Sequence, residues 1–158
     1  MKWTTLNFGK YAGLSLPQII LADADWFFWA LNKGAFWGKP GEEADELAAK
    51  ARAIKIPKPD PENWLVEYCF EDNGRFVELG FVKADEPFYG GRIYRLPYLD
   101  LSFIRRSRTY DKRGCRRLLR DFRRLYFGEG VRLTKQRCEK FFSKRRNFLR
   151  STKATNGR

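Results

Sequence analysis

Residues 64–83, WLVEYCFEDNGRFVELGFVK, decide the fold, because two alternating segments flank the pair Asn73-Gly74. Apolar and polar side chains alternate on both sides, as in strands that bury one face. Asn-Gly is preferred in a two-residue type I′ turn. Such a turn pairs Asp72 with Arg75, Phe70 with Val77, Tyr68 with Leu79 and Val66 with Phe81. The sequence therefore predicts an antiparallel hairpin with one apolar face, and glutamates with Cys69 on the other.

A third strand and two helices are predicted after the hairpin. Residues 91–104 predict a strand bent at Pro97. Residues 112–127 predict a helix between an Asp111 cap and a Gly128 stop, with a buried stripe of Cys115, Leu118, Leu119, Phe122, Leu125 and Tyr126. Thr134 can cap the last helix, whose predicted buried stripe is Cys138, Phe141, Phe142, Phe148 and Leu149.

The segments before the hairpin predict a small strand–helix unit. We expect a strand over residues 4–13, one or two short helices over residues 15–34, and a helix over residues 40–54 with acidic groups crowding its first turn. Residues 57–63, PKPDPEN, predict a stiff connector. The expected protein is of the α+β class, with an N-terminal module (1–56), the connector, a hairpin and basic two-helix unit (64–150), and a flexible tail (151–158).

The positive charge is concentrated near the C-terminus. The chain of 158 residues has a formal net charge of +13, and residues 104–158 hold 20 basic groups against 4 acidic ones. Arginine outnumbers lysine there by 15 to 5. The planar guanidinium suits phosphate and base edges, so nucleic acid is the expected partner, with DNA favoured over RNA.

The predicted contacts with nucleic acid lie mainly on the last two helices. Six arginines share the outer side of helix 112–127, where Asp121 is the only acid after the cap, and such like charges repel one another unless a polyanion neutralises them. The candidate residues are Lys10, Arg105, Arg106, Arg108, Arg113, Arg116, Arg117, Arg120, Arg123, Arg124, Lys140, Lys144, Arg145 and Arg146. The loop between the two helices is too long for an ordinary helix–turn–helix, so phosphate contact is better supported than base readout.

Residue content narrows the possible chemistry. The chain contains no histidine, which excludes histidine-based acid–base catalysis and histidine-ligated zinc. Its three cysteines are far apart and indicate no disulfide framework, in keeping with the cytoplasm. The longest uninterrupted apolar run, residues 26–31, is too short for a membrane span. We expect no catalytic residue, metal or cofactor, and no membrane association.

Residues 7–34, NFGKYAGLSLPQIILADADWFFWALNKG, carry a more specific pattern. This stretch resembles the small C-terminal domain of exodeoxyribonuclease X-like proteins, whose pattern is Phe-Gly-Lys-Tyr-x-Gly followed by Asp-x-x-Tyr-x-x-Trp. The matching residues are Phe8, Gly9, Lys10, Tyr11, Gly13, Asp23, Trp26 and Trp29, with Trp26 in place of the usual tyrosine. The resemblance covers about residues 5–35 and implies a strand–helix module that is accessory to nucleic-acid enzymes. It implies no nuclease activity, since catalysis in the exonuclease belongs to a separate domain.

Two roles remain open for the first part of this motif. Phe8 and Tyr11 can be structural aromatics around a glycine turn, while Lys10 and exposed amides can contact a phosphate. For the chain as a whole, non-catalytic nucleic-acid binding is the expected function. The alternatives are a protein–protein adaptor or inhibitor of phage or mobile-element origin, acting on a nucleic-acid-processing enzyme, and a carboxylate–metal nuclease. The acidic hairpin face, Glu67, Glu71 and Glu78, is a candidate metal site for the last of these.

Overall fold

Three helices, a three-stranded sheet and two further helices follow one another along the chain, which confirms the α+β class. The computed structural model describes residues 3–88, 92–107 and 110–149. The helices are α1 (Leu16–Ala22), α2 (Ala24–Asn32), α3 (Gly38–Ala51), α4 (Lys112–Phe127) and α5 (Lys135–Ser143). The strands are β1 (Trp64–Phe70), β2 (Phe76–Lys83) and β3 (Ile93–Leu96), and short 3₁₀ turns span Pro61–Asn63 and Arg145–Asn147. Arg108 and the predicted tail at 151–158 lie outside the described residues.

The sheet is antiparallel with strand order β2-β1-β3. The predicted pairs Val66–Phe81 and Tyr68–Leu79 are confirmed. The predicted third strand is shorter than residues 91–104, because β3 ends before Pro97, which has no N–H to donate. Beyond it, Leu99 forms a single bridge with Ile54.

The predicted type I′ turn of the hairpin is wrong. The amide of Gly74 donates to the Glu71 carbonyl at 2.9 Å, and the amide of Glu71 donates to the Arg75 carbonyl at 2.8 Å. Gly74 has a φ of 90°, but no non-glycine residue in the described segments has a positive φ, so Asn73 lacks the conformation that a type I′ turn needs. A three-residue loop with a left-handed glycine connects the strands instead. It shifts the register, so that Phe70 pairs with Phe76 rather than with Val77.

The N-terminal residues form a looser turn than the predicted strand over 4–13. Within residues 3–15 the only ladder contact is an isolated bridge between Thr5 and Ser15. Leu6 exchanges hydrogen bonds with Leu14 and Gly13 at 2.9 and 2.8 Å, and the chain reverses between them. Of the one or two helices predicted next, the structure has two, and Asp23 caps α2 by accepting from the Trp26 amide at 3.0 Å.

Helix α3 begins at Gly38 rather than at residue 40, so its first turn contains no acidic residue and that part of the prediction is wrong, while Lys50 lies in its last turn. Glu43 lies in the second turn and is buried, where it accepts from the Thr4 amide and from the Thr4 hydroxyl at 2.8 Å. Its hydrogen bonds with the N-terminal turn therefore compensate the burial of this glutamate.

The last helix ends earlier than the predicted stripe implies. Thr134 caps α5 by accepting from the Arg137 amide, as predicted, and Cys138 and Phe142 are buried. The helix stops at Ser143 and a 3₁₀ turn follows, which changes the side-chain direction. Phe148 is still buried, but Leu149 is 38% exposed and does not belong to the core.

Buried residues on both sides of the predicted connector belong to one continuous core. Ile54 bridges both Leu99 and Phe148. The Lys50 ammonium donates to the Phe142 carbonyl at 2.8 Å, so α3 and α5 are joined as well. The domain boundary at residues 57–63 stays a prediction.

Candidate nucleic-acid interface

Helix α4 has one buried face and one arginine-rich face. Asp111 caps it by accepting from the Gly114 amide at 2.9 Å, and Gly128 ends it with a φ of 109°. Both boundaries were predicted. The described burial also confirms most of the apolar stripe: Cys115, Leu118, Leu119 and Phe122 are buried, while Leu125 and Tyr126 are half-buried.

Two carboxylates, one at the N-cap of α4 and one within the helix, accept hydrogen bonds from edge-strand amides of the sheet. Asp111 accepts from the Phe76 amide at 3.0 Å, and Asp121 accepts from the Leu79 amide at 3.1 Å. Strand β2 lies at the edge of the sheet, where backbone amides lack a neighbouring strand. The two aspartates thus fix the orientation of α4 on β2, and with it the direction of the arginines.

Three arginines of α4 face solvent without a carboxylate partner. Arg113, Arg116 and Arg120 are exposed, and none of them forms an ion pair with any residue in the described ranges. Arg117 and Arg124 approach the same carboxylate, that of Asp121, at 3.7 and 3.8 Å. Because this one buried acid is shared by two arginines and a backbone amide, it does not neutralise the arginine face, which stays strongly positive.

Arg123 differs from its neighbours on the helix. It is half-buried, and its Nη1 donates to the Leu21 carbonyl at 3.0 Å, in the last turn of α1. Burial lowers the pKa of Arg123, and the nearby Arg120 charge lowers it further. Its hydrogen bond stabilises the packing of α1 against α4, a role that the sequence pattern did not predict.

An open groove runs beside the C-terminal half of α4. It has a volume of about 630 Å³ and is lined by four arginines, 117, 120, 123 and 124, and by the loop that follows the helix. Glu129 and Asp121 are the acidic residues in its lining. The described part of α4 therefore presents a concave cationic surface.

Two of the other candidates are neutralised by carboxylates of the body. Arg105 donates to Asp25 at 2.6 Å, and its side chain is only 21% exposed. Arg106 forms an ion pair with the buried Asp100. Each guanidinium compensates a carboxylate, so neither adds net positive charge to the surface. The sequence analysis had counted both in the basic surface. Whether either contacts nucleic acid stays a prediction.

Basic residues of α5 and of the segment after it line a second groove. Two further lysines, which the sequence analysis did not include, line it as well. Lys140, Lys144 and Arg146 share with Lys55 and Lys58 the lining of a groove of about 490 Å³. Arg145 is exposed on the same 3₁₀ turn as Arg146. A signal for the missed lysines was present in KIPK (55–58), where one lysine precedes the proline-rich segment and the other lies within it.

The N-terminal motif is held together mainly by contacts among its own members. The Tyr11 hydroxyl donates to Asp23 at 2.5 Å, and its ring packs edge-on against Trp26 with ring centroids 5.1 Å apart. Burial, followed by the hydrogen bond to Asp23, raises the pKa of Tyr11 to about 12. Gly9 has a φ of 78° and passes the Trp26 ring. The contacts give the motif a structural role.

Lys10 is exposed beside this motif. Its ammonium lies 3.8 Å from an Asp23 oxygen and 5.4 Å from the Tyr11 ring centroid. The carboxylate reduces the local positive charge, and phosphate contact by Lys10 stays a prediction.

The described residues contain neither a candidate metal cluster nor a candidate membrane helix. They have no group of three or more His, Cys, Asp or Glu side chains placed to hold a metal ion. Of the hairpin glutamates, Glu67 forms an ion pair with Arg95 at 3.0 Å. Across the same residues, every helix is too short or too polar to cross a membrane.

Comparisons with known protein families, with curated proteins and with solved structures find no match for this chain. The resemblance of residues 5–35 to the exonuclease X-associated domain therefore stays a proposal, carried by the motif alone.

Proposed function

We propose that this protein binds nucleic acid without catalysing a reaction, and that the arginine face of α4 makes the principal phosphate contacts. The observation that carries the proposal is the exposure of Arg113, Arg116 and Arg120 on one helix face without a paired carboxylate in the described structure. Phosphates arranged along a strand would supply the missing counter-charges. The free thiols and the N-terminal motif fit a cytoplasmic protein that is accessory to nucleic-acid metabolism.

The balance of charge on α4 supports a polyanionic partner. Ordinary solvated helix faces mix both signs, which stabilises them through pairs one turn apart. On α4 the single acid after the cap is buried and engaged by the Leu79 amide. Mutual repulsion among the arginines therefore remains until a ligand binds.

The test is charge reversal on α4. The triple variant Arg113→Glu, Arg116→Glu, Arg120→Glu removes the three exposed and unpaired groups and leaves Arg123 in place. The matched control is Lys33→Glu, Lys39→Glu, Arg92→Glu, which changes the net charge equally at exposed positions outside α4. Binding is measured by fluorescence anisotropy with duplex DNA, single-stranded DNA and RNA over a salt series, and folding by thermal denaturation.

We expect the wild-type protein to bind with an affinity that falls steeply with salt, by about one unit of log–log slope for each phosphate contacted. The α4 variant should lose most of this affinity and fold normally, while the control retains most of it. If the α4 variant binds with wild-type affinity, this face is not the binding surface. Absence of binding to all three nucleic acids would refute the function, and purification with a nuclease-resistant protein partner would then favour an adaptor.

A further inference from the structure

The second groove differs from the arginine face of α4 in being built from three separate segments, and we call it the aromatic groove. Its lining comes from residues 55–58, from the end of α4, and from α5 with the residues that follow it. We use floor for its aromatic residues, Tyr126, Phe127 and Phe141, and walls for its basic residues. A backbone hydrogen bond joins two of these segments, since the Lys55 amide donates to the Asn147 carbonyl at 2.8 Å. The Tyr126 hydroxyl joins floor and wall by donating to the Lys55 carbonyl at 3.0 Å.

The charged residues that line the aromatic groove are all basic. None of the described residues that line it is acidic. Its basic residues are Lys55, Lys58, Arg137, Lys140, Lys144 and Arg146. The groove along α4, in contrast, includes two acids in its lining. Every charged group that a ligand meets among the described lining residues of the aromatic groove is therefore positive.

The floor of the groove is aromatic. Phe127 and Phe141 are half-buried with ring centroids 5.3 Å apart, and Tyr126 lies next to them with its ring 6.2 Å from Phe141. Phe141 also contacts Phe142 and Phe148, so the floor is continuous with the core. These rings add apolar surface to the lining that they share with the basic residues.

We infer that the aromatic groove binds an unpaired nucleic-acid strand, with phosphates along the basic walls and bases against the rings. A cationic groove that tracks a backbone, combined with aromatic faces for stacking, is the usual chemistry of single-strand recognition. A duplex keeps its bases inside the stack and cannot offer them to the floor. This inference rests on the proposed function in supposing a nucleic-acid ligand, and it adds the form of nucleic acid and a second site.

The experiment separates base contact from phosphate contact by using three probes of equal length. They are a single-stranded oligonucleotide, an abasic strand with the same number of phosphates, and a duplex. Phe127→Leu removes a ring and keeps an apolar side chain, while Lys140→Ala with Arg146→Ala removes charge at exposed positions. The α4 triple variant serves as the matched comparison, and thermal denaturation monitors folding.

We expect Phe127→Leu to weaken binding of the single strand by about fivefold, the lower end of the effect of losing one stacking ring, with little change for the abasic strand or the duplex. The Lys140→Ala, Arg146→Ala variant should weaken binding of both the normal and the abasic strand. Its surface positions keep the test valid if Phe127→Leu fails to fold.

Three results would overturn the inference. The first is unchanged single-strand affinity in the charge variant, and the second is an equal loss of affinity for strand and duplex in both variants. The third is displacement of the bound single strand by poly-glutamate as readily as by an unlabelled single strand. In each case duplex binding that still depends on the α4 arginines would leave the proposed function intact. If no probe binds the wild-type protein, the proposed function fails as well.

Discussion

At the scale of single residues, two arginines one turn apart on α4 have opposite surroundings. Arg120 is exposed, whereas Arg123 donates from a half-buried position to the Leu21 carbonyl. Carbonyls in the last turn of a helix lack partners within the helix, and a cation is favourable there. Arg123 therefore belongs to the packing of the protein, and Arg120 to its surface.

The matched variants Arg123→Ala and Arg120→Ala test this difference. Arg123→Ala should lower the free energy of unfolding by about 1.5–3 kcal/mol, the range for a hydrogen bond from a charged group. Arg120→Ala should change it by no more than about 0.5 kcal/mol and should weaken nucleic-acid binding instead. Urea denaturation and anisotropy measure the two effects. Equal stability of both variants would mean that the Leu21 contact contributes nothing.

Single residues also show where prediction from sequence reaches its limit. The sequence places Arg105 and Arg106 in a basic run, but their partners, Asp25 and Asp100, are set by the fold. Asp25 is distant in the chain, so a charge count along the sequence cannot detect the neutralisation. Arg113, Arg116 and Arg120 keep the exposure that helical periodicity predicts, because exposure there depends only on local geometry.

At the scale of elements, β2 and α4 form a unit joined through aspartates. Asp121 accepts from the Leu79 amide and is buried, although it carries a charge among arginines. An edge amide left without an acceptor would incur a desolvation penalty and would expose a strand edge to other chains. The acid is thus needed by the sheet, even though it reduces the positive charge of the helix.

Substitution of Asp121 distinguishes its hydrogen bond from its charge. Asp121→Ala removes the acceptor and should lower the free energy of unfolding by about 1–3 kcal/mol. Asp121→Asn keeps an amide oxygen that can accept from Leu79, so we expect it to retain more stability than the alanine variant. Urea denaturation gives the stabilities, and light scattering reports aggregation through the uncovered edge. Equal losses in the two variants would assign the role to the charge.

The elements predicted best were those specified locally. Both ends of α4 follow from Asp111 and Gly128, and the strand pairs near Tyr68 follow from alternation. The hairpin turn was predicted wrongly because Asn-Gly is compatible with more than one loop length. In the folded chain the register after the turn places Phe76 in the core, with its amide bound by Asp111. That constraint comes from the N-terminal end of α4, so the hairpin sequence by itself does not predict it.

At the scale of the whole molecule, three thiols and two phenols have pKa values that folding raises to between about 11 and about 12. Burial is the largest cause of a raised pKa in each of them: to about 11 for Cys69 and Cys138, and to about 12 for Cys115, Tyr11 and Tyr110. Their ordinary pKa values are 9.0 for cysteine and 10.0 for tyrosine. The folded state therefore holds protons that the unfolded chain releases at lower pH.

The consequence is a loss of stability in alkali. A group whose pKa is raised by folding contributes its full stability below its unfolded pKa, and the contribution disappears as the pH rises through the folded value. We therefore expect the urea midpoint to be steady up to about pH 9 and to fall between about pH 9 and pH 12, since the unfolded chain gains charge first. Cys115→Ala should make this decline shallower by an amount on the order of 2 kcal/mol across that range, because the variant lacks a buried thiol whose proton is held in the folded state. Urea denaturation at a series of pH values measures both curves, and the comparison concerns their slopes, so any cost of the alanine at neutral pH cancels. A midpoint that stays constant to pH 11, or identical slopes for the two proteins, would show that Cys115 does not keep its proton through burial.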